Sequence, residues 1–114
     1  MGDVQREILL SIWKVHMLHH AATMAVSGQW IIRELRRHGY EVSPGTLYPL
    51  LARMATRGWL RSRTDAAAGS CARRDYTLTK KGAEVLTFLR NQVRELYSEA
   101  VRRKAPTGAS SAKR

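Results

Sequence analysis

Ser43, Gly45, Thr46 and Tyr48, followed by Arg53 and Arg57, place hydroxyl, backbone amide and guanidinium donors along one short segment of the chain. Donors of these types suit phosphate oxygens and base edges, and so point to nucleic-acid binding. The same segment carries Leu47, Leu50, Leu51 and Met54 at i, i+3, i+4 and i+7, the apolar stripe of a helix with one face in a core. Ser43 reads as its N-cap and Pro44 as its first helical residue, where a missing N–H costs nothing. A helix divided in this way rests on a core with one side and offers the other to a DNA groove. Tyr48 falls about 100° from Leu47 around the helix, off the stripe, so its ring either touches DNA or braces the helix half-buried. Pro49 sits in the second turn and lacks the N–H that would bond to Gly45, which predicts a bent helix start or a freed carbonyl.

Three further histidines, His16, His19 and His20, fall on one predicted helix, with His16 and His20 on the same face. No carboxylate or cysteine stands near them in sequence to complete a metal site, so packing or pH-sensitive hydrogen bonding is the expected role and no metal is predicted. Cys71 is the single cysteine, which excludes an internal disulfide framework and a multi-cysteine zinc site. Two residues before Arg73 and Arg74, it is either a thiol made reactive by its neighbours or a plain exposed one. Acidic residues are few and scattered, no Gly-rich phosphate loop follows a strand, and no Ser/His/Asp motif occurs. Neither catalytic residues nor a cofactor are therefore expected.

The elements that must hold the polar helix are legible around it. Residues 3–22 predict a first helix whose apolar residues, among them Ile8, Ile12, Trp13, Met17 and Leu18, occupy more than one face and need cover on two sides. A second helix begins at Ser27-Gly28, carries the inner stripe Gly28, Ile31, Ile32 and Leu35, and stops at Gly39 after a basic last turn. Residues 40–43 then separate it from the helix opened by Pro44, which is helix-turn-helix spacing, and Gly58 closes that third helix. Residues 59–63 and 73–78 read as two strands joined by an Ala/Gly/Ser-rich tip, the wing of a winged-helix domain, with Arg61, Arg63, Arg73 and Arg74 as its charges. Thr79 caps a final helix over residues 79–104, which would span roughly 39 Å and is too long for so small a core. Along it Leu86, Leu89, Val93 and Leu96 recur in alternating three- and four-residue steps, the pattern of a helix that pairs with another, and they are the predicted dimer contacts. Residues 105–114 are expected to form a disordered basic tail.

With 114 residues there is room for one domain and one modest core. Lys and Arg number 20 against 9 Asp and Glu, a net charge of +11, and the excess is uneven. It lies in residues 27–82 and 102–114, whereas the remaining segments are near balance. A basic helix-turn-helix segment favours a polyanion, because each neutralised phosphate releases counterions. No stretch approaches the roughly 18 consecutive apolar residues of a membrane span, and the first residues lead into no signal-peptide core. The expected location is the cytoplasm, with no membrane contact.

On these elements, the segment from Ser27 to Leu86 resembles the PadR-type (phenolic acid decarboxylase regulator) transcription factors. The resemblance is carried by Ser27-Gly28, by Ser43-Pro44-Gly45-Thr46-Leu47-Tyr48-Pro49, by Leu51-Ala52-Arg53-Met54 running to Gly58-Trp59-Leu60, and by Tyr76-Thr77-Leu78-Thr79-Lys80-Lys81-Gly82. It implies a homodimeric winged-helix repressor of a roughly palindromic operator, with the C-terminal helix packed against the partner's N-terminal region. By match to the family's DNA-reading segment, Ser43, Gly45, Thr46 and Tyr48 contact DNA, and Arg73 and Arg74 correspond to the basic pair near the wing tip. The chain departs from the pattern at Gln29-Trp30, where many members have an aromatic directly after the Ser-Gly, and at Ser70-Cys71, where the wing usually carries Gly-Arg. Some short members accept planar aromatic drugs between tryptophans on paired C-terminal helices. Here Phe88 and Tyr97 are that helix's only aromatics, so the stacking mode is not carried over.

The expected fold is mainly α with a small β-hairpin. A winged helix-turn-helix domain occupies residues 1–78, a long C-terminal dimerisation helix residues 79–104, and the tail residues 105–114. The expected function is sequence-specific binding of double-stranded operator DNA by a homodimeric transcriptional regulator, a repressor released by a small aromatic inducer or another signal. Two alternatives stay open. One is a ligand- or metal-sensing module with Trp30, Phe88, Tyr97 and the histidine cluster lining a dimer cavity, since Trp30 lies off the inner stripe of its helix. The other is a winged-helix protein-interaction adaptor.

Overall fold

The computed structural model describes residues 2–64 and 74–102, so Cys71, Arg73 and residues 105–114 lie outside the described part. Helix α1 (Gly2–Thr23) buries Trp13, Met17, Leu18 and Ala21 against the rest of the chain. Its other apolar side, Val4, Ile8 and Ile12 at steps of four, stays exposed, so only one of the two expected covers comes from the chain itself.

Ser27 caps α2 (Gly28–Arg37) by accepting the Trp30 N–H at 3.1 Å. Gly28, Ile31, Ile32 and Leu35 are its buried stripe, as the 3.6-residue period requires. The helix ends at Gly39, whose φ of +95° is a left-handed conformation that only glycine adopts without strain. After the turn comes α3 (Pro44–Thr56), with Leu47, Leu50, Leu51 and Met54 buried and Gly58 at φ +83° beyond its end. Pro49 lies inside α3, which continues through it, so the missing N–H does not break the helix.

Strands β2 (Leu60–Thr64) and β3 (Arg74–Leu78) pair antiparallel, from Leu60 opposite Leu78 to Thr64 opposite Arg74. The sheet has a third strand that the sequence did not reveal. Strand β1 (Val26–Ser27) pairs with the free side of β3, placing Val26 opposite Tyr76 and Ser27 opposite Asp75 in the order β1-β3-β2. Two residues carry no alternation to read; the pairing exists because α1 and α2 bring Val26 and Ser27 beside an unfilled strand edge.

Helix α4 (Lys80–Leu96) is capped by Thr79, whose hydroxyl accepts the Gly82 N–H at 2.9 Å and donates to the Gly58 carbonyl. One side chain thus joins the end of α3, the base of the wing and the start of α4. Gly82 permits this closeness, since a Cβ there would collide with the Trp59 carbonyl oxygen and lie 2.8 Å from Leu78 Cδ1. The sequence predicted α-helix through residue 104. Instead α4 gives way to a π-helical turn (Tyr97–Arg102) with no buried residue, where no packing holds the 3.6-residue phase.

The core gathers Trp13, Met17 and Leu18 of α1, Ile31 and Leu35 of α2, Leu47, Leu50 and Leu51 of α3, Tyr76 of β3 and Leu86 of α4. Leu86 therefore corrects its expected place on a dimer face. It is 2% exposed within its own chain, because the first turns of α4 must cover the sheet and α1 before the helix runs free.

Candidate nucleic-acid interface

The outer side of α3 exposes Ser43, Gly45, Tyr48, Arg53 and Arg57, while Thr46 is half-buried. Ser43 holds the N-cap position with extended backbone, but its side chain makes no cap hydrogen bond. Its Oγ donates to Thr46 Oγ1 at 3.3 Å, and its carbonyl accepts the Thr46 and Leu47 N–H groups at 3.1 and 3.0 Å. The two hydroxyls are thus tied to each other at the opening of the helix and remain at its surface. Tyr48 is 41% exposed and lays one side of its ring on Gly28 of α2, as the bracing reading of this residue expects.

The arginines around α3 and the wing differ in what holds them. Arg36 spends Nε and Nη2 on the Val42 carbonyl, and Arg37 forms a two-bond fork with Glu34, at 3.2 and 2.6 Å. Arg57 rides over the Trp59 ring with 5.7 Å from guanidinium carbon to ring centre, an alignment that fixes the side chain without consuming its donors. Arg53, Arg61, Arg63 and Arg74 are exposed. On β2, only Leu60 is buried, and Arg61 to Thr64 project beyond the core as the wing leaves the domain. Arg73 belongs to the wing charges expected from sequence but lies outside the described residues.

A histidine cluster occupies the contact between α1 and α2. His16 lies 5.3 Å from His38 and 6.3 Å from His20 between ring centres, and Tyr40 meets His16 edge-on at 5.6 Å. The carboxylate missing from the local sequence arrives from α2, where Glu34 Oε2 stands 3.3 Å from His38 Nε2 and 3.8 Å from His20 Nε2. Burial, then the positive charge of His38, hold His16 below its usual pKa; burial, then His19, do the same to His20. The hydrogen bond from Arg37 keeps Glu34 below the usual carboxylate range. Arg90 of α4 meets His19 Nδ1 at 3.1 Å, which makes that nitrogen the acceptor. Among the described residues, no group of three or more His, Cys, Asp or Glu is arranged to hold a metal ion.

The three residues expected to line a cavity between two copies lie on different elements of the chain. Trp30 packs edge-on against His20, 5.1 Å between ring centres. Phe88 lines an apolar groove of about 500 Å³ between α1 and α4 with Lys14, Trp59, Val85 and Leu89. Tyr97 opens the exposed π-helical turn. Of the expected dimer contacts, Leu89 is half-buried against the core, while Val93 and Leu96 are 51% and 63% exposed. Sequence reasoning missed Gly28 beneath Tyr48, Arg36 as the clamp of the turn, and Glu34 as the centre of the histidine cluster. Gly28 did carry a signal, as a glycine on the inner stripe of a helix.

Three helices, a three-stranded sheet with a basic wing, and a polar helix presented beside that wing define a winged helix-turn-helix protein. The profile of the transcriptional regulator PadR-like family matches residues 17–87, and the chain belongs to this family. It is a transcriptional regulator, not an enzyme. It is similar to the transcriptional regulator Rv3488 of Mycobacterium tuberculosis (strain ATCC 25618 / H37Rv), 45% identical over 96 residues that cover 84% of this chain and 89% of that protein. Among solved structures, a PadR-like transcription factor from Bacteroides fragilis is similar with a TM-score of 0.71 at 26% identity, covering 84% of this chain and 93% of that one. A PadR family transcriptional regulator from Eggerthella lenta DSM 2243 is similar with a TM-score of 0.69 at 27% identity, covering 85% and 88%.

Proposed function

We propose that this regulator is a homodimeric, sequence-specific repressor of operator DNA, acting in the cytoplasm and released by a small molecule or another signal. The observation that carries the proposal is the outer face of α3. Gly45, Tyr48 and Arg53 of α3, with its caps Ser43 and Arg57, are all exposed, while the opposite side of the helix is locked in the core. In the major groove, Tyr48 and Arg53 reach base edges while Ser43, Gly45 and Arg57 meet phosphates. Arg61, Arg63 and Arg74 of the wing, together with Arg73, which precedes Arg74 in the sequence, hold the adjacent backbone. A net charge of +11 adds a salt-sensitive attraction for any duplex.

A second copy is supported by apolar surface that one chain leaves open. Val4, Ile8 and Ile12 run along α1, and Phe88, Val93, Leu96 and Tyr97 run along α4 into the π-helical turn. Covering one set with the other relates two α3 helices by a two-fold axis, so that they enter major grooves about one helical turn apart. A signal that changes the angle between the copies alters this spacing and releases DNA. Among the described residues no helix is long and apolar enough to cross a membrane.

The test is a gel-shift titration of Tyr48→Ala/Arg53→Ala against duplexes retained by the parent protein from a random pool. The double variant is expected to bind them more weakly while remaining dimeric. Parent-like affinity would remove α3 as the DNA reader.

A further inference from the structure

Tyr48 is the largest side chain on the exposed face of α3, and its ring is supported by a residue of another helix. A Cβ built on Gly28 would collide with Tyr48 Cε1 and lie 2.9 Å from Cδ1 and 3.3 Å from Cζ, so the ring lies flush against the backbone at the start of α2. Neither backbone has room to withdraw. Gly28 follows Ser27, which is held at once by the cap on Trp30 N–H and by pairing with β3 opposite Asp75. Tyr48 follows Leu47 and precedes Leu50 and Leu51, none of them more than 1% exposed. The movable part of this contact is the ring itself, which is open to solvent on its other side.

We propose that Gly28 is the positioning residue for Tyr48, its lack of a side chain setting how far the ring and its hydroxyl stand from the surface of α3. This rests on the reading of α3 as the DNA-contacting helix. Any side chain at 28 drives the ring outward, since the ring is the only partner free to yield. The backbone of α2, the Ser27 cap and the core stripe of α3 stay as they are, so the protein folds as before. What changes is the reach of the phenol. Groups that read base edges must be held to within about 0.5 Å to keep their hydrogen bonds, whereas contacts to phosphates tolerate displacement. Gly28 thereby governs discrimination between DNA sequences without touching DNA.

The experiment is a double-mutant cycle in the full-length chain with Gly28→Ala, Tyr48→Ala and both together. Each protein is titrated against a duplex that the parent retains from a random pool and against a scrambled duplex of equal length, and thermal melting is recorded alongside. Gly28→Ala is expected to weaken binding to the selected duplex about tenfold, the loss typical of one impaired base contact, with scrambled-duplex affinity and melting temperature unchanged. In the Tyr48→Ala background, where no ring remains to be displaced, adding Gly28→Ala is expected to cost nothing further. Two results overturn the proposal: Gly28→Ala with parent affinity while Tyr48→Ala is weakened, or an equal Gly28→Ala loss in both backgrounds. Parent affinity in Tyr48→Ala itself overturns instead the DNA-contacting reading of Tyr48.

Discussion

Arg36 of α2 donates from both Nε and Nη2 to the Val42 carbonyl, at 3.2 and 3.1 Å, and so closes the turn that leads into α3. Val42 itself is 4% exposed, which places the clamped carbonyl beside an anchored side chain. By its charge Arg36 belongs to the basic last turn of α2, and by sequence alone a solvated or phosphate-facing role is as natural. Its geometry assigns it to the angle between the two helices.

Arg36→Ala is accordingly expected to destabilise the domain by about 1 kcal/mol, the value of a charge-assisted hydrogen bond to a partly exposed carbonyl. Arg36→Lys should restore only part of this, because one ammonium cannot form the guanidinium fork. Chemical denaturation monitored by tryptophan fluorescence measures both. An Arg36→Ala midpoint equal to the parent's would show that the turn keeps its form without the clamp.

Gly82→Ala should be the more damaging change. The added methyl meets the Trp59 carbonyl oxygen, a backbone atom that already accepts the Thr79 N–H at 3.2 Å and cannot swing aside as a side chain would. Forcing such a contact costs about 1–3 kcal/mol. Differential scanning calorimetry is expected to show a melting temperature lowered by several degrees, and an unchanged one would mean that the wing base and α4 separate freely.

The histidine cluster sets a pH dependence of known sign. His16 and His20 have native pKa values below their usual 6.5, so the unfolded chain binds more protons than the folded one as the solution is acidified. Their contribution to stability is complete above 6.5 and is lost as pH falls from there towards the depressed native values. Over this window Glu34 stays ionised and Arg37 stays cationic, so the change belongs to the imidazoles that His38 and His19 also face. Melting temperatures are expected to drop between pH 7.5 and 5.5 and to drop less in His16→Gln. An equal slope in that variant would assign the dependence to other groups.

Val93→Lys/Leu96→Lys tests the assembly. Both residues are exposed in the single chain, so the substitutions leave the core intact and place charge only where a second copy would pack. Sedimentation should show a folded monomer with weakened operator binding, since one copy reaches only half of a two-fold site. A persisting dimer would put the contact on another face.

The three main helices, their ends and the wing were legible in the sequence because each is written in local chemistry. The stripe from Leu47 to Met54 has a helical period, Gly39 and Gly58 sit where the chain needs positive φ, and Thr79 precedes a helix it caps. The resemblance to the family rested on the same local signals, above all residues 43–49. Tertiary structure decided what depends on residues far apart in the chain. It gave β1 its place, because two residues become a strand only when β3 presents an open edge. It moved Leu86 from a pairing face into the core, since helical periodicity says that a face is apolar but not what covers it. It brought Glu34 to the histidines. For the polar helix, the sequence determined which residues face outward, through the periodicity of α3. Only packing against α2 decided that the Tyr48 ring lies on Gly28, because a glycine on an inner stripe signals a close approach without naming the residue that approaches.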